Sequence, residues 1–332
     1  MTTQTGVVPS GGGLGVAERT RRLLRDRPLI PLTALLVLLV VLMQLAQPGV
    51  VTQSWFGSTI RAAVPLAILA AAQTLAMLTG GIDLSVGTVA SMAAFIMATQ
   101  TGSLGPEAAI VLALLAALIA GIANGIGVGV FKVHPLIMTL GTGLVILGLM
   151  NVYQLVVVQS GTEIPPLFDW LGSGTTLPWL PNNLFLFIPL AALIILGLRY
   201  SGYGRLLFAV GDNAVAARLA GVRVWQVHLA LYIIASLLAA IAGMLVAGLV
   251  KTASLALVEQ AVLPSVAAAV IGGTSIMGGR GGYSGTIIGA LILTVLTSLL
   301  IAMQMPEAVR QILFGAIIVV VAAVYTRIVD VS

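Results

Sequence analysis

Cysteine is absent from the 332 residues, and histidine occurs only at His134 and His228. Disulfides, thiolate metal sites and cysteine nucleophiles are therefore excluded, and two histidines so far apart give no metal-ligand spacing. Charge is scarce as well: 8% of residues are charged and 59% hydrophobic, against roughly 25% charged in soluble domains. That balance describes an all-α polytopic membrane protein. Lysine occurs only at Lys132 and Lys251, neither in a Gly-Lys-Ser/Thr context, so the glycine-rich Gly272–Arg280 run is not a Walker A phosphate loop. No nucleophile–base pair or metal constellation appears, so the expectation is a non-enzyme with no catalytic and no metal residue.

Glycine, by contrast, is abundant at 38 residues, while aromatics make up 5%. Together they point to closely packed helices. The formal charge of +5 lies in connecting segments, where it sets membrane orientation, and is no sign of nucleic-acid binding.

Residues 1–28 are polar, then basic, and read as a disordered cytoplasmic tail carrying Arg19, Arg21, Arg22, Arg25 and Arg27. An uncleaved first span follows from Leu29 to Ala46. Apolar windows of roughly 17–25 residues place further spans near 60–79, 86–102, 106–130, 136–158, 183–198, 226–250, 262–272, 283–303 and 308–326. The 262–272 piece is too short to cross alone, so it either starts near Leu255 or forms a re-entrant half-helix. With about ten spans, both termini are cytoplasmic and twelve of the 15 basic residues lie inside, as the positive-inside rule requires. Only Arg61, Lys251 and Arg310 fall outside. They are interfacial anchors or partners for acids on another protein. The transmembrane domain is 29–327, with a cytoplasmic loop at 199–225 and a C-terminal tail at 328–332.

Within the run from Ala62 to Gln100, Asp83 is the only charged side chain. It sits in Gly80-Gly-Ile-Asp-Leu-Ser-Val-Gly87, where paired glycines interrupt the helix. A charge at membrane depth marks a functional position, so this break is expected to line a pathway. The alternative is that Asp83 N-caps the following helix, which is compatible with the first reading. A second break, Ile271–Gly282, carries Gly272 and Gly273, and both breaks fall on the same side. Paired interruptions of this kind point to a transport path.

Between the breaks, Asp212-Asn213 precedes an alanine-rich run that closes at Gly221, the pattern of a short helix with an N-cap and a glycine stop. Gly121, Gly125 and Gly129, like Gly281, Gly285 and Gly289, recur every four residues and allow close helix contact, within the chain or between chains. The outward stretch Gln159–Asn182 holds Trp170 and Trp179 among prolines and reads as an interfacial belt or as a rigid outer lip.

Several of these runs carry a resemblance. Gly80–Gly87, Asn124-Gly125 with Phe131–Thr142, Gly204–Asn213 with Ala216–Gly221, and Val270–Gly282 are similar, in the same order, to the membrane-spanning permease of bacterial ribose-type sugar ABC importers. The resemblance runs from about residue 30 to 327. It implies a permease of the inner membrane that pairs with a second copy or a paralogue. Its other partners would be a cytoplasmic ATPase, which binds ATP and Mg, and an extracytoplasmic sugar-binding protein. No cofactor is expected in this chain. Gly211, Asp212, Asn213, Ala216, Ala217, Arg218 and Gly221 are then the expected ATPase-coupling residues. Asp83, Ser85, Thr139, Thr142, Thr274 and Ser275 are the expected substrate path for a polyhydroxylated solute. One departure is Leu263-Pro264-Ser265, where many such permeases carry an acidic segment. The rival reading is an ion-coupled secondary transporter using Asp83.

Overall fold

The computed structural model describes residues 29–158, 161–316 and 319, so the basic tail and the C-terminal tail lie outside the described residues. Its long helices are α1 (Leu29–Ala46), α2 (Gln53–Leu78), α3 (Val86–Leu104), α4 (Pro106–Gly129) and α5 (Pro135–Val156). After a short α6 (Pro166–Ser173) and a small antiparallel hairpin of β1 (Thr175–Leu177) and β2 (Leu180–Pro181), the chain continues as α7 (Asn183–Tyr200), α8 (Gly202–Leu219) and α9 (Val224–Val250). A brief α10 (Val262–Ile271) and α11 (Tyr283–Ala302) follow, with a further helical stretch at 307–316.

Seven of the described helices are long and apolar enough to cross a membrane: α1, α2, α4, α5, α7, α9 and α11. Helix α3 falls short on hydropathy but has 19 residues, most of them buried. Its small and hydroxylated side chains face protein, so lipid-facing hydropathy is not required of it. The span expected at 262–272 is the ten-residue α10, preceded by a 3-10 turn at Glu259–Ala261. Pro264 is accommodated there because the first turn of a helix has no partner for the missing N–H.

Helix α9 occupies the centre, against α4, α3 and α2, while α10 and α11 pack on α2 from the other side and α1 lies against α11. The repeated small residues make these contacts within the chain. A Cβ at Gly121, Gly125 or Gly129 would meet Ile233, Leu229 or Trp225 of α9, and one at Gly285 or Gly289 would meet the carbonyl oxygen of Gly272 or Ala268. In α2, Pro65 deprives the Arg61 carbonyl of its helical donor. The Asn183 side-chain amide replaces it at 2.9 Å.

The stretch expected on the outer side is a folded element over its described residues 161–182. A Cβ on Gly248 would lie 1.9 Å from the Phe168 carbonyl oxygen, and one on Gly57 2.2 Å from that of Pro178. Trp170 stacks on Phe185, and Lys251 reaches Asp169 at 3.2 Å. Arg310 pairs with Glu307. Two of the three expected outer cations thus have partners inside the chain.

Candidate translocation and coupling site

Helix α2 ends in a Schellman motif. Gly80 N donates to Met77 O and Gly81 N to Ala76 O, with Gly80 at φ +75°. The chain then turns inward to a polar cluster with Asp83 and Ser85 at its centre, both fully buried. One Asp83 carboxylate oxygen accepts from Ser85 N at 2.9 Å and from Ser85 Oγ at 2.6 Å. Asn124 Nδ2 of α4 donates to Ser85 Oγ at 2.9 Å. Gln73 of α2 bonds both backbone groups of Asp83, donating to its carbonyl at 2.7 Å and accepting from its N–H at 3.2 Å. Thr139 of α5 accepts from Leu84 N at 3.0 Å. Three helices therefore hold one turn through their side chains.

Asp83 does not cap α3. Ser85 stands at that position with no side-chain cap bond, and Asp83 closes an Asx turn onto Ser85. Of the residues expected along the path, Asp83, Ser85 and Thr139 come together here. Thr142 lies one turn further along α5 and is half-buried. Thr274 and Ser275 lie in the second break, where Ser275 Oγ accepts from Met277 N at 3.1 Å. No hydrogen bond joins those two to the Asp83 cluster among the described residues. Gln73 and Asn124 are cluster members that the sequence analysis did not single out as site residues. The signal was present: each is the lone side-chain amide of its helix apart from Gln53 at the extreme start of α2.

The second break begins in the same way as the first. Gly273 N donates to Val270 O and Thr274 N to Ala269 O, with Gly273 at φ +89°. The two breaks then touch, since Gly279 N donates to Leu78 O at 3.0 Å. The 199–225 loop completes the contact. A Cβ on Gly211 would lie 1.8 Å from Leu78 O and 2.7 Å from Gly279 N, and a Cβ on Gly278 2.8 Å from Gly211 O.

Beyond Gly211 the expected capped helix is present, with a refinement. Asp212 still belongs to the preceding helical segment. Asn213 leaves the helical region at φ −156°, ψ 98°, and its Oδ1 accepts from Val215 N and Ala216 N at 3.0 and 2.9 Å. A third Schellman motif, through Gly221 at φ +87°, ends the turn. Val215 and Leu219 are 68% and 85% exposed, and Ala216 and Arg218 are exposed beside them, whereas Ala217 is buried. Ala217 is therefore a packing residue and not part of an outward surface.

The arrangement contains a buried polar cluster, two helix breaks and an exposed turn that follows Gly211, the residue in contact with both breaks. Comparison with known proteins gives it a family. Residues 56–322 match the family model described as branched-chain amino acid transport system / permease component. The chain belongs to this permease family. Among similar proteins is the galactofuranose transporter permease protein YtfT of Escherichia coli (strain K12), 35% identical over 82% of this chain and 80% of its own length. The ribose import permease protein RbsC of the same strain is 34% identical over 80% of this chain and 84% of its own. The fructose import permease protein FrcC of Rhizobium meliloti is 32% identical over 77% and 73%. No solved structure matches the chain. The permease is thus a multi-pass inner-membrane transport subunit, and not an enzyme.

Proposed function

We propose that this permease forms the translocation path of an ATP-driven importer for a monosaccharide or a similar polyhydroxylated solute. The observation that carries the reading is the exposed, capped turn after Asn213, with Val215 and Leu219 pointing outward and Gly211 pressed against both helix breaks. An apolar, ordered turn of this kind suits docking to a protein more than to water. The partner is a cytoplasmic ATPase, which supplies the ATP and Mg sites. An extracytoplasmic sugar-binding protein delivers substrate to the outer face beside α6 and the hairpin.

The path runs between two permease copies or a copy and a paralogue. Helix α5 supports this: its seam of Ile137, Gly141, Leu144, Gly148, Asn151 and Leu155 is exposed, with small and amide-bearing positions suited to a tight helix contact. Ten crossings with cytoplasmic termini complete the topology. The seven long apolar helices, the buried α3 and the helical stretch at 307–316 are nine of these, and the tenth is α10 together with the segment from Lys251 that leads into it. Substrate selectivity is divided between the binding protein and hydroxyl-bearing positions such as Thr142.

A deletion strain tests substrate class, with labelled ribose, fructose and galactose set against leucine, isoleucine and valine. Loss of uptake for a sugar and retention of the amino acids is the expected result. Loss confined to the branched-chain amino acids would overturn the sugar assignment. Gentle extraction and mass spectrometry test the coupling, with an ATPase expected to co-purify and to be lost on Leu219→Asp. Absence of any ATPase, with uptake driven by an ion gradient in proteoliposomes, would transfer the assignment to a secondary transporter.

A further inference from the structure

Three segments far apart in the sequence meet backbone to backbone at one point. They are the end of α2 at Leu78–Gly80, the second break at Met277–Gly279, and α8 at Gly211–Asp212. Gly279 N donates to Leu78 O at 3.0 Å. A Cβ at Gly211 would fall 1.8 Å from that same oxygen, a Cβ at Gly278 3.0 Å from Gly80 N, and a Cβ at Gly279 3.1 Å from Asp212 Cα. Gly278 and Gly279 also take the left-handed backbone, at φ +92° and +70°. Every close approach is between main-chain atoms, with no flexible side chain between the segments to absorb a displacement. Packed protein of this kind shifts as a unit and does not deform continuously.

We infer that Gly211 is a positioning residue that clamps the cytoplasmic loop to both helix breaks, so that the three move as one body. The inference rests on the coupling role proposed above for the turn that follows Asn213. It adds where the motion goes. A displacement of the turn is delivered at once to the end of α2, and through Gly80 to the turn that holds Asp83, and to the second break. The hinge is Asn213, whose extended backbone separates the docking turn from the clamped part of α8. Alanine at Gly211 forces the loop away from Leu78 O and breaks the linkage without touching the docking surface.

The absence of native cysteine makes distance measurement by nitroxide labelling and pulsed electron paramagnetic resonance direct. One pair, Ala209→Cys with Met277→Cys, spans the clamp from the part of α8 that precedes the hinge, and both positions are exposed. A second pair, Met277→Cys with Leu177→Cys, relates the clamp to the outer hairpin. In the permease alone, the first pair gives a single narrow distance that Gly211→Ala broadens or splits. A chain that binds no ATPase therefore refutes the proposed function while still testing the clamp.

In the complex with its ATPase, nucleotide-free and vanadate-trapped Mg-ATP states are compared. The peak of the first pair stays in place, that of the second shifts, and Gly211→Ala loses the shift while ATP hydrolysis persists. A nucleotide-dependent change across the first pair, no shift in the second, or a full shift in the Gly211→Ala complex would each overturn the inference. The first two readings use chains with Gly211 intact, so they stand even where the alanine variant folds poorly.

Discussion

The two breaks start alike and finish differently. Each opens with a Schellman motif through a left-handed glycine, Gly80 or Gly273. The first is then closed by side chains from three helices, with Asp83 and Ser85 bonded to each other and supported by Gln73, Asn124 and Thr139. The second is closed mostly by backbone: Ser275 N donates to Arg280 O at 2.9 Å, a single side chain takes part through Ser275 Oγ accepting from Met277 N, and glycines fill the remaining close approaches. A turn made of polar side chains can rearrange its hydrogen bonds, whereas a turn made of glycine contacts has no partner to exchange. The first break is accordingly the chemically versatile half of the site and the second its rigid counterpart.

The sharpest way to break that comparison is at Asp83. Asp83→Ala strands the Ser85 N–H and hydroxyl as buried donors and is expected to lower stability by about 3 kcal/mol. Asp83→Asn keeps one acceptor for Ser85 and costs less. Thermal unfolding of the purified detergent-solubilised chain checks the order alanine, then asparagine, then unmodified. Equal losses for the two variants would show that the charge, and not the acceptor, holds the turn.

The second break responds to volume and backbone instead. Gly278→Ala adds a Cβ 2.8 Å from Gly211 O at a left-handed φ, and the expected cost is about 2 kcal/mol. Gly197→Ala, in a helix with open space around it, serves as the contrast and should be neutral or stabilising by roughly 0.5–1 kcal/mol. The same melting assay applies. A Gly278→Ala chain as stable as Gly197→Ala would dissolve the distinction between the breaks.

The loop that touches both breaks ranks next. Asn213→Ala removes the cap of the docking turn, worth about 1 kcal/mol. Global unfolding will register little of this, so amide hydrogen exchange over residues 214–220 is the suitable measurement. Faster exchange there, with residues 80–85 unchanged, is expected. Acceleration in both places would mean that the docking turn also holds the first break in shape.

Much of this architecture was legible from residue patterns. Long apolar runs located the crossing helices, glycines spaced by four located the tight contacts, and an amide followed eight residues on by Gly221 located the capped turn. The stretch expected as a span at 86–102 is present as α3, although its hydropathy is below that of a lipid-facing helix because its neighbours are protein. What escaped is informative. Gln73 and Asn124 were not read as site residues, since periodicity within one helix carries no information on which turn of another helix it faces. The meeting of Leu78, Gly211 and Gly279 was invisible for the same reason: a backbone contact leaves only a glycine in the sequence. Ala217 belonged to the expected outward face but is turned inward, because four successive residues of a short helix cover its whole circumference.

The smallest expected effect lies at the other end of the molecule and calibrates the rest. Asp169 is held below the ordinary carboxylate range by its hydrogen bond from Ser173 first and by Lys251 second. A depressed carboxylate stabilises the fold above its unfolded pKa of about 3.9, and that contribution fades as pH falls through the still lower folded pKa. Lys251→Gln removes one of the two causes, so the melting difference between the variant and the unmodified chain should be slight at neutral pH and vanish at acid pH. Both partners are largely exposed, and solvent screening keeps such pairs weak. A loss here comparable with that of Asp83→Ala would mean that the outer hairpin and α6 are held by the ion pair itself. The close packing of Phe168 and Gly172 on α9 predicts the opposite, because that contact persists whatever the charge on Asp169.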